Sequence, residues 1–221
     1  LLFSSVFQIN EIKIAGMQKV SQEEIMAKVD EILPKSILLL KTKSIFLADI
    51  SQTKKALLQN FPQIEEVTFD RRFPTGLNVE VKEREGRALW CNSECYLIDK
   101  DGVIFETIAD NNQLMQIRIE GATDQIQLGQ SVISRELLSS LLKIEGLLKE
   151  KSGLETEKAI VVSDERVNFK TREGWEIYFN LNEDFEWQVT KLTLVLEKEI
   201  TPEKRAALEY IDLRFTRVYY K

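Results

Sequence analysis

Lys82-Glu83-Arg84-Glu85-Gly86-Arg87 interrupts the hydrophobic patterning of the chain with six residues, none of which can enter a core. A run of this kind cannot lie inside a packed unit without burying unpaired charge. It therefore cuts the 221 residues into a shorter N-terminal and a longer C-terminal part, each obliged to close a core of its own.

The part before the run carries a β-α-α-β-β pattern. Apolar residues at Ile9, Ile12 and Ile14 mark a first strand that leads through Ala15-Gly16 to Val20. Ser21 with Glu24 three residues later is a capping box, and Ile25, Val29, Ile32 and Leu33 form the buried stripe of a helix that Pro34 ends. An apolar stretch over 37–40 follows. Asp49 caps a second helix reaching about Asn60, with Ile50, Leu57, Leu58 and Phe61 inward. A hairpin closes the unit: Val67 and Phe69 share a face, Pro74-Thr75-Gly76 turns the chain, and Leu77, Val79 and Val81 return.

The part after the run is richer in strands. Leu97-Ile98, the turn Asp99-Lys100-Asp101-Gly102 and Val103-Ile104-Phe105 make a hairpin, and 114–119 a further strand. Ser134 caps a helix with its stripe at Leu137, Leu138, Leu141, Leu142 and Leu148. A meander over 158–162, 167–171 and 175–181 and a helix over 185–197 complete the pattern before Thr201-Pro202. The fold class is α+β, ending in a mixed α/β domain dominated by an antiparallel sheet.

The last twelve residues, 210–221, read as a strand. Ile211, Leu213 and Phe215 alternate with Tyr210, Asp212, Arg214 and Thr216, after which Val218 and Tyr220 shift the phase. That shift requires either a bulge near Thr216 and Arg217 or a second short strand after a bend. A terminal strand left at the sheet edge exposes unpaired N–H and C=O groups, a template for another chain.

Composition narrows the chemistry. There is no histidine, which removes Ser-His-Asp and Cys-His nucleophilic sites and nearly all common zinc constellations. No metal or cofactor site is indicated. Glu173, Asp184, Glu186 and Asp101 are the carboxylates an enzyme reading could use, but their spacing carries no signature. A net charge of −6 argues against a nucleic-acid partner. Cys91 and Cys95, with three residues between them, suit a tight hairpin loop and are a candidate disulfide; two free thiols, or a redox or metal role, are the alternatives. No run of eighteen apolar residues exists, yet Leu1-Leu2-Phe3-Ser4-Ser5-Val6-Phe7 fits either the end of a membrane helix or an ordinary first segment.

Ile9, Ile14, Gly16, Val20, Ser21 and Ile25, then Asn60-Phe61-Pro62, Val67, Phe69, Arg71-Arg72-Phe73-Pro74, Leu77, Val79, Val81, Glu83-Arg84 and Ala88 together resemble the POTRA domain of the FtsQ/DivIB cell-division proteins. Residues 97–105 resemble the hairpin that opens that family's β domain, and 210–215 its terminal signature. The resemblance implies residues 1–7 as the end of a membrane helix or a linker, a POTRA domain over 8–84 and a β domain over 85–221. It further implies a single-pass inner-membrane protein with this region extracytoplasmic, at the division septum. The role implied is a non-enzymatic scaffold of the divisome. Its partners would be small bitopic coiled-coil subunits of the FtsB/DivIC and FtsL type, together with other divisome membrane proteins. The partner strand would meet Arg214, Phe215, Thr216, Arg217, Val218, Tyr219 and Tyr220, with Arg214, Arg217 and Lys221 drawing an acidic segment. The alternative is a POTRA-containing outer-membrane or secretion assembly factor.

Overall fold

The computed structural model describes residues 5–37, 40–108, 114–122 and 126–221. The chain divides into two compact units, 1–85 and 86–221, with the division inside the charged run.

In the N-terminal unit the order is β1 (Glu11–Ala15), α1 (Gln22–Ile32), β2 (Lys35–Ile37), β3 (Leu40–Thr42), α2 (Ile50–Asn60), β4 (Ile64–Arg72) and β5 (Gly76–Glu83). The small β2–β3 hairpin adds to the β-α-α-β-β frame expected from the sequence; three-residue strands are too short to show a period. Part of the apolar stretch 37–40 lies outside the described residues. The sheet runs β1-β5-β4, with β1 parallel to β5 and β4 antiparallel to it. Ser21 and Asp49 cap the helices, accepting from the N–H of Glu24 and Gln52. Ile25, Val29 and Leu57 on the helices meet Ile14, Val67, Leu77, Val79 and Val81 on one sheet face, all buried.

Glu83 adds a second anchor at the start of α1, beyond the Ser21 cap. Its carboxylate accepts from the backbone N–H of Gln18, Lys19 and Val20, at 2.9 to 3.1 Å, and so ties the end of β5 to the entry of α1. Partial burial pushes this carboxyl up, but the three backbone donors outweigh it and hold Glu83 below the usual carboxylate range. Gly16 makes the approach possible: its φ is +94°, and a Cβ there would collide with the Val81 carbonyl.

In the C-terminal unit β6 (Ala88–Cys91), β7 (Cys95–Ile98), β8 (Ile104–Ile108) and β9 (Gln116–Ile119) precede α3 (Arg135–Ser152). Then come β10 (Thr156–Ser163), β11 (Arg166–Thr171), β12 (Glu176–Asn180), α4 (Phe185–Lys198), α5 (Pro202–Ala206), β13 (Tyr210–Asp212) and β14 (Tyr219–Tyr220). One nine-stranded sheet orders them β14-β13-β12-β11-β10-β9-β6-β7-β8. Neighbours are antiparallel except at β12–β13, β10–β9 and β9–β6. Leu138, Leu141, Ile144 and Leu148 of α3 and Val189 and Leu192 of α4 pack with Trp90, Phe169, Ile177 and Phe179 of the sheet. On the other face of β6–β8, Leu89, Cys91, Leu97 and Phe105 form a second, smaller cluster. Cys91 and Cys95 face each other in register across the β6–β7 hairpin and are joined as a disulfide.

Because Glu83 has a depressed folded-state pKa, the stability it adds is present above the unfolded carboxylate pKa and disappears as pH falls through the folded value. Glu83→Gln should lower the urea unfolding midpoint of the N-terminal unit at neutral pH. The gap from the native protein should close progressively as pH is lowered below about 4, the ordinary glutamate range. A pH-independent gap would assign the loss to packing instead.

Candidate partner-binding edge

The terminal segment is two strands, not one. Tyr210–Asp212 lies between β12 on one side and β14 on the other, so it cannot itself accept another chain. This corrects the single continuous edge strand expected over 210–221 and selects the second of the two sequence alternatives, a short strand after a bend. The alternation ends with it: Ile211 and Leu213 are fully buried, whereas Phe215, on the same parity, is 52% exposed.

The open edge is therefore β14. Lys221 N–H donates to the Tyr210 carbonyl at 3.2 Å, and Tyr210 N–H donates back to the Lys221 carbonyl at 3.3 Å. In an antiparallel pair the backbone groups of successive residues point to opposite sides. Since those of Lys221 face inward, the N–H and C=O of Tyr220 face outward from the sheet.

The chain reverses over 213–218, and a lysine holds the reversal. Lys191, in the middle of α4 and 8% exposed, donates its Nζ to the carbonyls of Leu213 and Phe215 at 2.8 and 2.7 Å. Burial lowers its pKa, while Glu183 and Asp212 act in the opposite direction. Asp212 and Arg214 brace the start of the bend through a two-bond pair, Nε to Oδ1 at 2.9 Å and Nη2 to Oδ2 at 2.6 Å. The Asp212 bond raises the Arg214 pKa further, against partial burial. Arg214 also lies over the rings of Tyr178 and Phe215, and Tyr178 stacks on Tyr210 at 5.0 Å.

The seven residues expected at the partner surface divide into two groups. Phe215, Thr216, Arg217, Tyr219 and Tyr220 are exposed, and Phe215 meets Tyr219 edge to face at 5.8 Å. Val218 is half-buried against the core, and Arg214 is half-buried in its pair with Asp212. Of the three cations expected to draw an acidic segment, Arg214 is thus committed internally and Lys221 pairs with Glu209 at 2.9 Å. Arg217 is exposed on the bend. Sequence reading missed Lys191, whose signal is a lysine on the inward stripe of α4 between Val189 and Leu192.

The four carboxylates considered for catalysis are spread through the fold. Asp184 caps α4, Glu186 pairs with Lys151, Asp101 lies between Lys100 and Arg135, and Glu173 is gripped by Arg205. Glu173 is held below the usual range by that Arg205 bond, against burial, with Trp175 Nε1 assisting. Among the described residues no cluster of metal-ligating side chains occurs.

A three-stranded sheet with two helices on one face, followed by a larger mixed sheet that displays its C-terminal edge, defines a POTRA protein with an appended sheet domain. Family models agree in both parts. The FtsQ-type POTRA domain matches residues 7–84, and the C-terminal domain of cell division protein FtsQ/DivIB matches 88–214. The chain belongs to the FtsQ/DivIB family of cell-division proteins. It is 25% identical to a cell division protein FtsQ of Geobacter sp. (strain M21) over 217 residues, covering 96% of this chain and 74% of the relative. It is 24% identical to that of Chloroflexus aurantiacus over 229 residues, covering all of this chain and 76% of the relative. A Myxococcus fulvus FtsQ aligns at 24% over 143 residues, 65% of this chain and 47% of that protein. The chain thus spans from about half to three quarters of these relatives' length.

Lys191→Met keeps the length of the side chain and removes both bonds to the reversal. The expected cost is about 1.5–3 kcal/mol, the range for hydrogen bonds made by a charged group. Hydrogen exchange followed by mass spectrometry should show faster exchange over 213–221 than over β10–β12. Uniform change across the sheet would mean that Lys191 supports the core and not the edge.

Proposed function

We propose that this chain is a non-enzymatic scaffold of the divisome that links early and late septal proteins by accepting a strand along β14. The observation that carries this reading is the outward-facing backbone of Tyr220, beside exposed Tyr219 on β14 and exposed Phe215 on a bend pinned from inside by Lys191. Main-chain pairing supplies affinity of low selectivity, and the rings and Arg217 supply the selectivity. The partner class is a small bitopic coiled-coil subunit of the FtsB/DivIC type, with the FtsL type as its companion, and the POTRA unit meets other divisome membrane proteins.

The location that fits is the extracytoplasmic side of the bacterial inner membrane, at the division septum, with a single membrane helix ahead of the POTRA unit. The apolar character of Leu1-Leu2-Phe3 supports that attachment. So does the Cys91–Cys95 disulfide, since such bonds persist in oxidising compartments. No helix among the described residues is long and apolar enough to cross a membrane.

Two kinds of substitution separate strand pairing from simple side-chain docking. Phe215→Glu or Tyr219→Glu should abolish calorimetric binding of the coiled-coil subunit, by removing the apolar anchors. Tyr220→Pro deletes the outward N–H while sparing the inward bonds of Lys221, and should weaken binding about tenfold, the equivalent of roughly 1.4 kcal/mol. Unchanged affinity in both the charged and the proline variants would remove β14 as the site.

A further inference from the structure

The N-terminal unit carries an exposed aromatic cluster that strand pairing at β14 does not use. Val6 and Phe7 lie in a short 3₁₀ turn (Ser5–Phe7), Phe46 in the turn after β3 and Phe73 in the β4–β5 turn. The rings touch in series: Phe7 and Phe46 at 5.2 Å between centroids, Phe46 and Phe73 at 5.4 Å. Backbone bonds fix the turns against each other, from Ile45 N–H to the Phe7 carbonyl and from Asn10 N–H to the Thr75 carbonyl. Phe7 is half-buried against the core, which seats the cluster, while Val6, Phe46 and Phe73 are 57%, 50% and 60% exposed. Two exposed rings held on a half-buried third, with exposed Val6 next to it in sequence, are a cost to a free protein, and such patches mark contact surfaces.

We propose that this cluster is a lipid-contact site that seats the N-terminal unit on the interfacial region of a phospholipid bilayer. Three features of the molecule favour a bilayer over a protein groove. The exposed rings are carried by turns and not set into a groove wall of regular elements, positions from which they can enter a fluid phase to shallow depth. The residues that lead into the cluster in sequence, Leu1-Leu2-Phe3, are themselves apolar. The charges of these turns are also compatible with headgroups. Asp49 caps α2 and Asp70 pairs with Arg72, while Arg71 bonds the Ala48 carbonyl beside the rings and Lys43 pairs with Asp30. Rings already packed together lose little freedom on insertion, and attachment of the chain to the same membrane would raise their effective concentration there. The inference rests on the membrane location proposed above, and not on strand pairing.

The test places a reporter in the cluster. Phe46→Trp, in the full 221-residue chain, is tethered through an N-terminal hexahistidine tag to vesicles containing nickel-chelating lipid, phosphatidylcholine and phosphatidylglycerol, with or without brominated acyl chains. The emission of the introduced indole is taken as the difference from the native chain with its own three tryptophans. It should shift to the blue on the vesicles and be largely lost over brominated lipid. Adding Phe73→Ser should restore most of the emission while leaving the urea midpoint unchanged. Equal emission over brominated and plain vesicles overturns the proposal. So does quenching that requires phosphatidylglycerol, which would mean attraction by charge. Protection of the introduced indole by a soluble coiled-coil subunit, without lipid quenching, overturns it as well, because it would mean a protein groove. Retained calorimetric binding of that subunit by a Phe46→Trp chain that shows no lipid quenching would show the scaffold reading standing while the lipid site falls.

Discussion

A sheet must end somewhere, and the backbone groups of its last strand must find partners in the protein, in water or in another molecule. In the C-terminal unit that obligation is met in steps. β13 is paired on both sides, and the two-residue β14 stands outside it. An edge this short offers few free groups, which limits indiscriminate pairing with any extended chain. Beside it the bend over 213–218 brings Phe215 against Tyr219 and leaves Arg217 in solvent.

Two chain reversals in this protein are each held by one charged side chain acting on backbone groups. Glu83 gathers three N–H groups at the entry to α1, and Lys191 spans two carbonyls at the exit from β13. The two are electrostatic mirror images, an acceptor-only group on donors and a donor-only group on acceptors. Each leaves its backbone loop ordered without requiring a regular element there. The ion pairs of the terminal segment serve the same end. Arg214 with Asp212 fixes the start of the bend from within, Lys221 pairs with Glu209 at the surface, and Arg217 is exposed on the bend.

Much of this is legible along the chain, and the parts that are not have identifiable causes. Ser21, Asp49 and Ser134 announce their helices because a cap acts within three residues of itself. The hairpin turning at Pro74-Thr75-Gly76 is equally local, as is the Cys91/Cys95 loop. The parallel pairings β1–β5, β6–β9, β9–β10 and β12–β13 are invisible because a strand's period of two is the same whichever way its neighbour runs. The break after Asp212 is readable only as a change of phase at Val218. That signal cannot tell a bulge from a reversal, and the decision belongs to Lys191, which is 22 residues from Leu213 in sequence. Phe46 and Phe73 give no sign of their role because each looks like an ordinary core residue until three separate turns bring the rings together.

The two exposed aromatic groups, one early in the chain and one at its C-terminal edge, obey a single logic. In each, an apolar surface that is unfavourable in water is kept outside the core by a rigid mount: Phe7 and its backbone bonds in one case, Lys191 and the Asp212–Arg214 pair in the other. Fixing the rings before contact removes part of the ordering cost that binding would otherwise carry. A scaffold gains from such an arrangement, since its task is to hold surfaces at defined places, and in this fold the buried Lys191 and Asp212 side chains hold the bend that carries Phe215.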